Sequence, residues 1–101
     1  MSQIGVLARI PVRPGKRDEV VAAMDILIDS ANSEDGTQIY VLHEDQKDPD
    51  VLWVYELYAD AAAFDTHMNA DAMKSFIAVA GGLMAGRAEL TKLTPVAGKG
   101  L

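Results

Sequence analysis

The chain contains no cysteine. That excludes disulfides, thiolate nucleophiles, iron–sulfur clusters and cysteine-based zinc sites. Histidine is nearly as scarce, with only His43 and His67, and no HxxxH or HxH pair exists to seed a metal site, so no metal is expected. Cations are in the minority: 9 Lys and Arg stand against 15 Asp and Glu, a formal charge of −6. Scattered as they are, they cannot match a phosphate backbone or an anionic membrane surface, so neither nucleic acid nor membrane is an expected partner. No apolar run approaches the roughly 18 residues that a spanning helix needs. With no basic and apolar leader after Met1, a soluble, cytoplasmic protein is expected.

What is present is the material of one globular domain: 101 residues, half of them hydrophobic. A single domain is expected over residues 1–96, with 97–101 as a loose tail. Residues 3–12, rich in Ile, Val and Leu, predict a strand that ends near Pro11, and Pro14-Gly15 punctuates the chain. Val20, Met24, Leu27, Ile28 and Ala31 draw one stripe down a helix. That helix runs out in Asn32-Ser33-Glu34-Asp35-Gly36, a turn by composition. Residues 37–44 and 52–59 predict two strands joined through a polar, proline-bearing loop longer than a two-residue hairpin turn. Asp60 is placed to cap a second helix, with a break expected near Asn69, where Asn69 and Asp71 can cap a new turn. Gly81-Gly82 should end that helix by supplying positive φ. Residues 87–94 predict the fourth strand.

The order β-α-β-β-α-β predicts an α+β, ferredoxin-like domain, a four-stranded antiparallel sheet with both helices on one face. Both parities of the third strand are apolar or aromatic: Trp53, Tyr55 and Leu57 on one, Leu52, Val54 and Tyr58 on the other. One face alone cannot absorb them, and soluble monomers rarely expose a large apolar patch, so a homodimer with its sheets face to face is expected.

Two residues stand out chemically. His67 lies on an inward-looking helical arc three residues after Phe64, where an imidazole can serve as a general base. Glu56 sits mid-strand between Tyr55 and Leu57, an expensive place for a carboxylate unless it faces a pocket or a partner; it could orient His67 or stabilise its imidazolium. The structural alternatives are a packed histidine, and an ion pair from Glu56 to Arg9, Arg87 or Lys92. Tyr40, Trp53, Tyr58, Phe64 and Phe76 are candidates to contact a flat aromatic ligand, although filling the core is the commoner role for such residues.

The run Gly36-Thr37 to Tyr40, then Asp48-Pro49, Trp53, Glu56, Tyr58, Ala62 or Ala63, and His67 is similar to the pattern of the antibiotic-biosynthesis monooxygenase domain. The resemblance extends from the first strand to the end of the second helix. It implies a homodimeric α+β barrel with a pocket in each subunit between the sheet and its own helices. It also implies a cofactor-independent monooxygenase that oxidises a small aromatic, quinol or polyketide-like substrate with dioxygen, with His67 and Glu56 as catalytic residues. A small-molecule isomerase or a non-catalytic ligand-binding domain of the same fold are the alternatives. The chain departs from two branches of the family. Residues 68–73 lack the second histidine and the proline common in quinol-type members, and Ile77 stands where haem-degrading members carry the iron ligand. Haem degradation is therefore not expected.

Overall fold

Alternation along the strands decides which side of the sheet is covered. The computed structural model describes residues 2–100; Met1 and Leu101, the last residue of the expected tail, lie outside the described residues. Strands β1 (Ile4–Pro11), β2 (Thr37–Glu44), β3 (Val51–Tyr58) and β4 (Glu89–Leu93) form one antiparallel sheet in the order β2-β3-β1-β4. Val6, Ala8 and Ile10 of β1 and Leu52 and Val54 of β3 point to one face and are 5% exposed or less. Onto that face pack Val20, Met24 and Leu27 from helices α1 (Arg17–Ala23) and α2 (Asp25–Ser33). Phe76 and Ala80 from α4 (Asp71–Ala80) complete the layer. The ferredoxin-like α+β fold expected from the sequence is the fold observed.

The first helical stripe is divided at Met24, which keeps right-handed backbone angles of φ −64° and ψ −17°, so the two segments continue one apolar stripe. Helix α3 (Ala61–Met68) begins as expected, with Asp60 accepting a hydrogen bond from the Ala63 backbone N–H at 2.8 Å. The expected break near Asn69 is present, but Asn69 closes α3 rather than opening α4: its Nδ2 donates to the Asp65 carbonyl at 2.9 Å. Gly81 does not supply positive φ. It remains right-handed at φ −56°, and the chain tightens into the 3-10 turn Gly81–Leu83 before Met84 turns extended and bridges Val12.

Two local features depart from regular hairpin geometry. In the β2–β3 loop, Asp45 Oδ1 accepts from the backbone N–H groups of Lys47 and Asp48, and its Oδ2 accepts from Trp53 Nε1 at 2.8 Å. These donors, the Asp48 amide foremost, lower its pKa to about 2. Between Thr37 and Ile39 the β2–β3 ladder slips: Thr37 pairs with Tyr58 and Ile39 with Leu57. That bulge brings Thr37 and Tyr40, three positions apart, onto the same helix-covered face.

The other face carries Trp53, Tyr55 and Leu57 of β3 beside Leu7, Val41 and Leu93, the last three exposed at 36%, 47% and 45%. Among the described residues no helix is long and apolar enough to cross a membrane.

Candidate active site

Between the covered face and the helices lies a cavity of about 770 Å³. Ala8, Ile10 and Val54 floor it, Met24, Leu27 and Phe76 wall it, and Arg87, Ala88 and Leu90 flank it at the β4 edge. Met68, Met73 and Met84 also line it, flexible thioethers that adapt to the shape of an occupant. Against this apolar lining three polar side chains open into it at the opposite end: His67, Glu56 and Tyr40.

His67 is placed by α3. Phe64 and His67, three residues apart on one helical face, are 8% and 2% exposed. The turn after α2 passes close to this helix at Gly36, where a Cβ would collide with the Ala63 Cβ. Glycine is therefore required for the approach. The same approach brings Glu34 to His67, and Glu34 Oε1 accepts from His67 Nδ1 at 2.8 Å. Thr37 Oγ1 donates to the same oxygen at 2.7 Å and Ser30 Oγ donates to Oε2 at 2.9 Å. Burial alone would raise the Glu34 pKa, but the hydrogen bonds from Thr37, His67 and Ser30 outweigh it and hold the carboxyl below its ordinary value. An ionised Glu34 can only accept, so Nδ1 carries the proton and a neutral ring presents its lone pair at Nε2. No protein group of the described residues meets Nε2, yet none of their buried side-chain nitrogens or oxygens lacks a partner. Nε2 therefore opens to the cavity.

Glu56 is 5% exposed and accepts from the Tyr58 hydroxyl through Oε1 at 2.5 Å. Burial pushes its pKa up, against the opposing pull of the Tyr58 hydrogen bond and of His67. As with the imidazole nitrogen, its Oε2 is neither buried nor paired and faces the cavity. Tyr40 is the cross-strand neighbour of Glu56, and its ring lies 4.9 Å from the imidazole, tilted by 50°. Burial, and then the two carboxylates, raise the Tyr40 pKa, so its hydroxyl stays protonated and available as a donor.

Of the residues singled out in the sequence, His67, Glu56, Tyr40 and Phe76 meet on the cavity. Tyr58 and Phe64 stand behind it, packed edge to face at 5.4 Å and 79° in a satellite cluster with Val6. Trp53 points to the opposite side of the sheet, away from the cavity, where its indole N–H is taken by Asp45. Of the two roles expected for Glu56, orienting His67 falls to Glu34, while Glu56 stays close enough to act on the imidazole through its charge. Glu56 is not in an ion pair among the described residues, since Arg9 reaches Glu89 instead, at 3.6 Å. Glu34, with its supports Thr37 and Ser30, is what sequence reading missed. Next to Gly36 it reads as a turn residue, and only its spacing of three from Thr37 hints at more. No group of three or more His, Asp or Glu among the described residues could hold a metal ion.

A sheet of this topology with a cavity under its own helices, and an imidazole held by a carboxylate at that cavity, defines a ferredoxin-like α+β domain with an internal, largely apolar cavity. Residues 3–79 match the family model described as Antibiotic biosynthesis monooxygenase. The chain belongs to that family. Rv0793 of Mycobacterium tuberculosis, provisionally named a monooxygenase, is 30% identical over 95 residues, 94% of this chain and 93% of that protein. Its solved structure superposes with a TM-score of 0.86 over 97% of this chain and 99% of the other. A Caulobacter crescentus structure provisionally described as an antibiotic biosynthesis monooxygenase is 31% identical with a TM-score of 0.87, covering 95% and 92% of the two chains. The uncharacterised protein sll1783 of Synechocystis is 29% identical over 86% of this chain, which spans only 59% of its length.

Proposed function

We propose that the protein is a cofactor-independent monooxygenase that oxidises a small aromatic, quinol or polyketide-like substrate with dioxygen. The observation that carries this reading is the His67–Glu34 pair, which fixes the tautomer and directs a basic nitrogen into an apolar cavity. A hydroquinone lying in that cavity presents a hydroxyl to Nε2. His67 takes the proton, and Glu34 holds the resulting imidazolium through a charge-assisted hydrogen bond. The electron-rich anion passes electrons to dioxygen and bonds to it at a ring carbon. Protonation and loss of water leave one oxygen atom on the ring. Hydroquinone plus dioxygen thus gives hydroxyquinone plus water, with all the electrons drawn from the substrate. Glu56, whose proton burial helps to retain, is suited to return a proton to the peroxide, and the Tyr40 hydroxyl to steady the developing oxyanion.

The same Nε2 serves a proton transfer that uses no oxygen, and Glu56 on the same cavity supplies the second group an isomerase would need. Assembly as a homodimer through the uncovered sheet face accounts for the exposed Leu7, Val41 and Leu93.

The test is oxygen uptake against a panel of hydroquinones and polyhydroxylated aromatics, with the His67→Ala variant alongside. Uptake that falls by about 10²–10⁴-fold in the variant, with ligand affinity retained, supports the oxygenase. A rearranged product formed equally well under argon points to the isomerase, and binding without either points to a ligand-binding domain.

A further inference from the structure

We propose that the cavity selects an aromatic substrate bearing an anionic substituent, a carboxylate, and that Arg87 is the residue that recognises it. The inference rests on the cavity being a substrate site and adds the class of substrate.

Arg87 is the only cation among the cavity's lining residues. Arg9, Lys16 and Arg17 each reach a carboxylate at 3.3–3.6 Å, but Arg87 makes no ion pair or side-chain hydrogen bond among the described residues. Its neighbours on the lining, Gly86, Ala88 and Leu90, have no polar side chain to offer a ligand. A guanidinium is a planar fork of donors that matches a carboxylate with two parallel hydrogen bonds, and at the rim of an apolar cavity that pairing is strengthened by partial exclusion of water.

The position of Arg87 in the sheet sets the length of the ligand. Tyr40 and Glu56 lie in one row across the strands with Val6 and Lys92; Ala8 and Leu90 lie in the next row of the same face, and Ala88 follows just before β4. The cavity therefore runs obliquely from the His67 end beneath β2 and β3 to the β4 edge. From β3 to β4 it crosses two strand spacings, about 10 Å. That is the span of two or three fused aromatic rings. The charges at the two ends also fix the direction of binding. Glu34 at the inner end repels an anionic group and Arg87 at the outer end attracts it, so the neutral hydroxyl is delivered to His67 and the carboxylate stays at the rim.

The experiment uses probes already at the quinone level, which have no electrons to give dioxygen, so that binding is read apart from turnover: anthraquinone-2-carboxylate and its uncharged carboxamide, titrated calorimetrically into the intact protein. The native protein should bind the carboxylate about tenfold more tightly than the amide. Arg87→Gln should reduce the preference to about twofold or less while leaving amide affinity unchanged, and Arg87→Lys should retain part of it. Because Arg87 is exposed, both variants are expected to fold. Equal native affinities, a preference that survives Arg87→Gln, or no binding of either probe overturns the proposal. If the preference appears while the corresponding hydroquinones consume no oxygen, the oxygenase reading falls and the recognition of the anion stands.

Discussion

The two faces of the sheet depart from simple burial rules in opposite ways. The covered face, where apolar residues belong, carries Glu56 at 5% exposure and has His67 of α3 packed over it at 2%. The uncovered face, where polar residues belong, holds Leu7, Trp53, Tyr55 and Val41. A buried carboxylate and an exposed apolar patch each cost free energy in an isolated chain. Each persists because something outside the chain's own packing makes use of it: on our reading, a substrate on one side and a second copy on the other.

The contrast can be broken hardest on the covered face. Glu34→Gln keeps the shape of the residue but removes the charge that fixes the His67 tautomer, and turnover should fall about 10²-fold or more while ligand affinity is retained. The same variant has a distinctive pH signature. Glu34 has a lowered pKa, so its contribution to stability is present above about 4.5 and lost as pH falls through the lower folded value. Urea unfolding from pH 7 downward should show that loss in the native protein and not in Glu34→Gln. On the uncovered face, Leu7→Glu places a charge in the central strand, twice per symmetric dimer. It should weaken self-association by about 30-fold or more in sedimentation, with the helix-face cavity of the separated chain keeping the ligand affinity and any oxygen uptake of the native protein.

Smaller effects sharpen the contrast. Gly36→Ala forces a methyl group against Ala63, and should cost about 1–3 kcal/mol in chemical unfolding, with loss of activity as α3 and Glu34 are pushed apart. Glu56→Gln should act in the opposite sense to Glu34→Gln. The Glu56 pKa is raised, so the stability it contributes is present below about 4.5 and is lost as pH rises through the folded value. The neutral amide escapes that loss, and the variant should exceed the native protein by on the order of 1 kcal/mol in the alkaline range, with no advantage in acid.

Much of the architecture could be read in advance because periodicities of two and of 3.6 are local properties. The stripe from Val20 to Ala31, the cap at Asp60 and the break near Asn69 needed no knowledge of the rest of the chain. The orientation of β3 did not yield to the same method. With Trp53 and Tyr55 on one parity and Leu52 and Val54 on the other, nothing in the strand says which side receives the helices, so Trp53 stands among the candidate ligand contacts although it lies on the far face. Gly81 illustrates a second gap, since two glycines permit a left-handed turn without requiring it. Glu34 is the most instructive case: its hydrogen bond to His67 spans 33 residues, and depends on the close approach at Gly36. A turn composition carries no trace of such a contact.

The slip in the β2–β3 ladder gives the site an unusual heredity. Thr37 steadies Glu34 and Tyr40 borders His67, yet in a regular strand residues three apart would face opposite ways. Removal of Gln38 would close the bulge and leave Thr37 and Tyr40 two apart in a regular ladder, still opposite Tyr58 and Glu56 on one face. Regular pairing with Gln38 kept would turn one of the two to the far side of the sheet. What this segment must keep is the common face of Thr37 and Tyr40, which the bulge supplies at a spacing of three and an unbroken strand would supply at a spacing of two.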